Sequence, residues 1–420
     1  MKRSVAALAL SLAALAAGAT LACQGARPGA SGDPAGPQPP AAGQKWVSGY
    51  YAGWFWEWYP PAVVDMTAMT HFVFGRYAPG GGTLGGRPSQ LVQGAGTGHD
   101  AGVEQALVDK AHAAGVKALI MLGGAGDGPG FDASTADPAV RSAFVANILG
   151  ALAAKNYDGV DVDWEESLET PRQQGQVVAL LKELRGAAVD HPHFRPPHAP
   201  ILITWPAFWA NINFRTVTPW HVTVASLVDQ YNLMTYAMAD AWPGWESWHH
   251  SALQGAQPPH PTSIEASVQE YAAAGVPRGK LGIGIGFYGI YYGAGVDGPR
   301  QNLRGVRAQG SDVENNFRRL SSDAAFGQAG GTLHWDDLAK QSYYSYSPPW
   351  RRYGNTPIGY LTFEDERSIA AKGQWVAEQG VGGAIVWTLN YGCTDPGAGT
   401  NPLLDAVKDA FLASRAADAR

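Results

Sequence analysis

The sequence predicts an α/β protein, a (β/α)8 TIM barrel with a small α+β insertion between the seventh strand and the seventh helix. Three observations lead to this. Apolar runs of strand length alternate with amphipathic helical stretches from Trp46 to near the end of the chain. The runs are almost continuously apolar, as in parallel sheets covered on both faces. Eight of them occur, the number that closes a barrel whose chemistry lies at the C-terminal strand ends.

The elements follow in order. WVSGYYAGW and THFVFGRY read as the first two strands; GVEQALVDKAHAAG is helical and leads to the third strand, VKALIMLGG. AVRSAFVANILGALAAKN has helical periodicity and precedes the fourth strand, DGVDVDWE. QQGQVVALLKELRGAAV is a helix, PILITWPAFW the fifth strand and YNLMTYAM the sixth. The helix SIEASVQEYAAAG, the strand KLGIGIGFYG, the helix SIAAKGQWVAEQG, the strand GGAIVWTLN and the helix PLLDAVKDAFL complete the series. The interval of about 290–357 is too long for an ordinary loop. Its many aromatics predict a small folded wall beside a cleft.

With 45% hydrophobic and 16% charged residues, the chain can bury a sizeable core. A net charge of −6 without a long basic run excludes attraction to nucleic acid or an anionic membrane surface. The 15 tryptophans supply flat apolar faces suited to cores and to sugar rings. Residues 1–22 read as an export signal: Lys2 and Arg3, an apolar run, then small residues. TLAC resembles a bacterial lipoprotein cleavage site with Cys23 lipidated, against plain cleavage after Ala19 or Ala22. Residues 23–44 are a Pro/Gly/Ala-rich linker, and the catalytic barrel is expected over 45–415. Cys23 and Cys393 are the two cysteines, so no disulfide framework is implied. The expectation is a monomer, exported or tethered through Cys23.

In DGVDVDWE, Asp161, Asp163 and Glu165 alternate with Val162 and Trp164. Side chains of a strand alternate in direction, so the three acids share a face at about 6.6 Å per step. Acids are poor strand formers, and like charges on one face repel. A purely structural element would select against them. A calcium site would need a glycine-punctuated loop, which is missing here. The histidines, including His249, His250 and His260, show no metal-ligand spacing; no metal and no cofactor are expected.

DGVDVDWE matches at every specified position the DGxDxDWE signature of glycoside hydrolase family 18, the chitinase family. GYYAGW, LGG, NLMTY, GFYG, FEDERSIAAKGQWV and GGAIVW are similar to further segments of that family, so the resemblance runs from about Trp46 to Leu412. It implies an enzyme hydrolysing β-1,4-linked N-acetylglucosamine in chitin or chitooligosaccharides. It also implies a retaining, substrate-assisted mechanism in which the substrate's acetamido oxygen attacks the anomeric carbon and gives an oxazolinium intermediate. Glu165 would be the general acid/base. Its pKa must then be raised, with Asp163 as the neighbouring charge and Trp164 as apolar bulk. Asp163 would orient the acetamido group, Tyr236 donate to its carbonyl and Asp161 share a proton with Asp163.

By the same resemblance Trp387 is the floor for the cleaved sugar. Tyr50, Met234, Trp54, Trp205, Phe287 and Tyr288 are further candidates for substrate binding, and Trp209 and Trp242 could extend the cleft. Two positions depart from the family pattern. Met121 replaces a serine that supports the first aspartate, and Ala237 replaces an aspartate after Tyr236. Met121 cannot donate a hydrogen bond, so Asp161 should hold its proton more readily unless Tyr50 takes over. Two other functions use the same features: a chitin-binding lectin without catalysis, and an endo-β-N-acetylglucosaminidase acting on glycoprotein glycans.

Overall fold

The computed structural model describes residues 45–94, 102–309, 311–322, 330–352 and 356–418. The expected leader, Cys23 and the linker lie outside the described residues. Eight parallel strands close a barrel: β1 (Trp46–Ala52), β2 (His71–Pro79), β4 (Lys117–Gly123), β5 (Gly159–Asp163), β6 (Leu202–Ala207), β7 (Gln230–Leu233), β8 (Leu281–Gly286) and β14 (Gly383–Trp387). β1 pairs with both β2 and β14, which completes the ring. Strand β3 (Leu91–Gln93) lies antiparallel on the end of β2.

The outer layer follows from helical periodicity and capping. Helix α4 (Pro171–Asp190) buries Val177, Leu180, Leu181, Leu184 and Ala188 as one apolar stripe. Thr170 and Gln173 form a capping box at its start, and Pro171 sits where a missing N–H costs nothing. Asp137 caps α3 (Pro138–Lys155), and Ser263 caps α6 (Ile264–Ala274). Helices α1 (Val103–Ala113), α8 (Glu366–Glu378) and α10 (Pro402–Asp418) also lie where the periodicity predicts them. The pattern did not reveal α2 (Gly128–Thr135), α5 (Pro219–Leu227) or the one-turn α9 (Leu389–Gly392). Between β1 and β2 the chain makes three short 3-10 turns in place of a helix.

Inside the barrel, large residues stand opposite missing side chains. In LGIGIG of β8, a Cβ at Gly282 would lie 2.2 Å from Asn232 Oδ1, and one at Gly284 would lie 2.8 Å from the Tyr236 ring. The alternating glycines therefore make room for neighbouring side chains within the ring. Polar pairs fill the lower barrel: Ser48 donates to Gln230 at 2.8 Å, and the Trp46 indole donates to Asn232 at 3.1 Å.

The expected insertion is an antiparallel five-stranded sheet ordered β10-β9-β13-β12-β11, with β9 (Gly289–Gly293), β10 (Ala308–Gln309), β11 (Gly331–Asp336), β12 (Gln341–Arg352) and β13 (Thr356–Phe363). A short helix, α7 (Phe317–Ser322), accompanies it. Its last strand reaches Phe363, beyond the limit near 357 that the sequence gives. The sheet is joined to the barrel by a buried ion pair. Lys372 of α8 bonds Glu364, just after β13, and donates to Ser251 Oγ at 3.0 Å and Gln341 Oε1 at 3.2 Å. All four side chains are buried.

This pair generates a stability prediction. Lys372→Met leaves the Glu364 carboxylate buried without a cation and should cost about 3–5 kcal/mol. Adding Glu364→Gln removes the stranded charge and should recover much of that loss. Urea or thermal melting of the two variants tests both steps.

Candidate active site

The acid-bearing strand is β5, flanked by β4 and β6. Asp161 and Asp163 are buried in the barrel, and Glu165, two residues on, opens into the mouth. Val160, Val162 and Trp164 belong to the outer core. Trp164 stacks on Phe131 with ring centroids 4.8 Å apart, and its indole donates to Glu166 O at 2.7 Å. The expectation that Trp164 shields Glu165 is therefore corrected: strand alternation turns the indole to the opposite face.

Each carboxyl is perturbed in the same direction. Burial pushes Asp161 up to about 6, opposed by the Thr204 and Tyr50 hydroxyls. Asp163 is raised well above the usual carboxylate range by burial, then by Glu165, Asp161 and Glu166, with Arg76 acting against them. Glu165 is raised to about 7 by burial and by Glu166; Arg76 opposes this and Asp127 adds to it. Groups so placed titrate as one coupled set and share fewer charges than carboxyls.

Support for Asp161 comes from a residue that sequence reasoning missed. Thr204, on the neighbouring strand β6, donates its hydroxyl to Asp161 Oδ1. Met121 lies beside Asp161 in the register of β4 and β5 and offers no donor. The Tyr50 hydroxyl also holds the Asp161 carboxyl down, although its oxygen makes no hydrogen bond of ordinary geometry. Asp161 Oδ2 and Asp163 Oδ1 are buried with no hydrogen-bond partner.

The mouth holds a cavity of about 430 Å³ lined by Glu165, Met234, Tyr236 and Tyr288, with Phe208, Trp209 and Trp242 also on its wall. Tyr236 follows β7, and its ring centroid lies 6.0 Å from that of Tyr288. Trp387 ends β14 and stands 5.9 Å from Tyr50. Its indole donates to Asp312 Oδ2 at 2.8 Å, and the Tyr391 hydroxyl reaches the same oxygen at 3.1 Å. Asp312 comes from the insertion and carried no sequence signal. Trp54 approaches Gly75 and Met121 near the same mouth: a Cβ on Gly75 would touch both side chains.

Two candidates are misplaced by the sequence reading. Trp205 follows Thr204 and so points outward, buried against Trp220 at 6.2 Å. Phe287 is wholly buried in the outer core and packs against Gly392. Neither lines the cavity; both belong to the core packed outside the barrel strands.

A second hollow, of about 360 Å³, lies around the N-terminal strand ends. It contains none of Asp161, Asp163 and Glu165. Its charges are paired, Lys117 with Asp158 at 2.7 Å and Arg185 with Asp229 at 2.9 Å. Among the described residues no group of three or more His, Cys, Asp or Glu is placed to hold a metal ion. No helix among them is long and apolar enough to cross a membrane.

Fold and site together define the class: a (β/α)8 barrel with an acid–base site at its C-terminal mouth. The sequence profile of glycosyl hydrolases family 18 matches residues 47–392, and the chain belongs to that family. Chitinase 1 of Aphanocladium album is 26% identical over 290 residues, 68% of this chain and 64% of that protein. Chitinase A1 of Niallia circulans is 26% identical over 300 residues, 66% of this chain and 40% of that protein. The chain thus spans less than two thirds of either. Among solved structures, the Ostrinia furnacalis Group IV chitinase in complex with allosamidin superposes with a TM-score of 0.70 at 21% identity, covering 88% of this chain and 99% of that one. A family 18 N-acetylglucosaminidase from Paenibacillus barengoltzii gives 0.67 at 23%, covering 87% and 100%. At these identities the likeness is one of fold.

A raised carboxyl pKa also costs stability. Glu165 binds a proton more tightly folded than unfolded, so stability falls as pH rises from its unfolded pKa of about 4.3 through its folded value. Glu165→Gln removes this penalty. It should be more stable than wild type at pH 8, by roughly 3–4 kcal/mol, and melt at a higher temperature, with the difference vanishing near pH 4. Melting curves at the two pH values check the sign.

Proposed function

We propose that this chain is a chitinase that hydrolyses β-1,4-N-acetylglucosamine linkages in chitin or chitooligosaccharides. The observation that carries the reading is Glu165, whose pKa is raised to about 7, at the edge of an aromatic-walled cavity two residues past Asp163 and close enough to raise that carboxyl in turn. A carboxyl with a pKa of about 7 is half protonated at neutral pH and can both give and take a proton. Asp163 ends the strand that leads to the donor, so we read it as flanking the bond from the donor's side and not as the opposing nucleophile. That geometry supports substrate assistance, in which the acetamido oxygen attacks and retention follows. Asp163 then orients the acetamido N–H, Tyr236 donates to its oxygen and Trp387 supports the sugar. The same proposal takes residues 1–22 as an export leader followed by a linker, with lipidation of Cys23 testable by acyl labelling.

Incubation with a soluble chitooligosaccharide and identification of the products tests the activity. Glu165→Gln should lower turnover by about 10² to 10⁴ while substrate still binds, because it removes the transferable proton and little volume. Binding without products from the wild-type protein would mean a lectin. Release of glycans from glycoproteins in preference to chitin fragments would mean an endo-β-N-acetylglucosaminidase.

The mechanism makes a second demand. Deacetylated oligomers of the same length lack the nucleophile and should react far more slowly than they lose affinity. Equal rates on both would rule out substrate assistance.

A further inference from the structure

Among the described residues the guanidinium that acts on Asp163 and Glu165 is that of Arg76. Strand β2 pairs with β4 so that Gly75 faces Met121 and Tyr77 faces Leu122, leaving Arg76 as an extra residue. Such a bulge re-aims a side chain and is common beside active sites. Arg76 Nη1 donates to Gly123 O at 3.0 Å and to Asp127 Oδ2 at 2.5 Å, and Nη2 donates to Thr83 Oγ1 at 2.6 Å. Asp127 is itself held by the Thr83 N–H and hydroxyl, each at 2.7 Å. These contacts fix the guanidinium.

Gly124 keeps the space between Arg76 and Asp163 open. Its φ is +115°, and a Cβ there would lie 3.4 Å from Arg76 Nη1 and 3.6 Å from Asp163 Oδ2. The two atoms are therefore no more than about 7 Å apart, within range for a charge to bias a buried carboxyl. The other ionisable groups facing the acids are the carboxyls of Glu166 and Asp127 and the hydroxyls of Tyr50, Tyr236 and Tyr288, which burial keeps neutral; none of them brings a cation. Glu166 is engaged by the Gly126 and Gly128 N–H groups at 2.5 and 3.2 Å.

We propose that Arg76 is a positioning residue that keeps Asp163 ionisable beneath a protonated Glu165, and so sets the pH window of catalysis. The inference rests on the hydrolase reading. That reaction needs Asp163 charged against the developing cation while Glu165 still holds its proton, a combination that burial and mutual repulsion disfavour. A guanidinium remains charged throughout. Asp127 orients it and offsets part of its field. The direction of the Arg76 influence on both carboxyls agrees.

The test compares kcat/KM against pH for wild type, Arg76→Lys, Arg76→Gln and Asp127→Asn on a soluble chitooligosaccharide. Loss of the cation in Arg76→Gln should move both limbs of the profile to higher pH, by about one unit. Arg76→Lys keeps the charge and should restore the limbs toward wild type, even if kcat falls. Asp127→Asn uncovers the guanidinium charge and should move the limbs to lower pH. A fall in activity with unmoved limbs in Arg76→Gln, or equal displacement in the Lys and Gln variants, overturns the proposal. Should Arg76→Gln fail to fold, Asp127→Asn decides alone: a downward displacement supports the proposal and none overturns it. Should the wild type hydrolyse nothing, the functional reading fails separately. Titration of 13C-labelled carboxyls of Asp163 and Glu165 in wild type and Arg76→Gln then shows whether Arg76 governs their protons.

Discussion

The structure depends on burying two carboxyls on one face of a single barrel strand with a third just beyond its end. Strand alternation aims Asp161 and Asp163 the same way, Glu165 follows just past the strand end, and closure of the ring removes the solvent that would disperse their charge. Ionising all three at once would be prohibitive, so the surroundings must hold protons on some of them and supply donors to others. Thr204 serves the innermost acid, the Arg76 guanidinium faces the middle one, and the outermost opens to the cavity. Glycines 123 and 124, both at positive φ, let the chain turn away after β4 without placing a side chain among these groups.

The same interior shows how a packed barrel accommodates bulky rings. Gly282, Gly284 and Gly286 yield space to Asn232, Tyr236 and Tyr288, while Gly383 yields it to Trp46. Tyr236 thus owes its place to a residue type on the adjacent strand as much as to its own motif. The insertion also reaches the mouth, where Ile290 and Ala308 line the cavity. Asp312 accepts from both Trp387 and Tyr391, so one carboxylate from the added segment steadies the indole at the end of β14. The buried Lys372–Glu364 pair anchors that segment to helix α8.

How far the sequence revealed this follows from which forces act locally. Periodicity identified all eight barrel strands and the long helices, because burial of one face or of both leaves a pattern in neighbouring residues. Helix α5 escaped because Pro219–Leu227 is short and nearly uniformly apolar at its core-facing end, and α2 because Gly128–Thr135 opens on two glycines and a proline. At the site, the three acids were legible from spacing alone. Trp205 and Phe287 were misplaced because a motif names a residue without its direction. Thr204, Arg76 and Asp312 were invisible for another reason: each acts across strands or from a distant segment, and nothing adjacent in the chain marks it.

The two departures from the family pattern read differently in this light. Met121 removes a possible donor beside Asp161, but Thr204 on the other neighbouring strand already fills one oxygen. The loss is therefore confined to Asp161 Oδ2, which stays unpartnered along with Asp163 Oδ1. Ala237 lies exposed at the cavity rim with φ +50°, just after Tyr236. A methyl there withdraws one negative charge from the wall and leaves the three acids untouched. Both changes act on the surroundings of the proton-sharing set, and both reduce the number of groups that can exchange protons with it. With fewer such groups, the charges that remain nearby weigh more heavily, and the Arg76–Asp127 pair is the one fixed beside the middle acid.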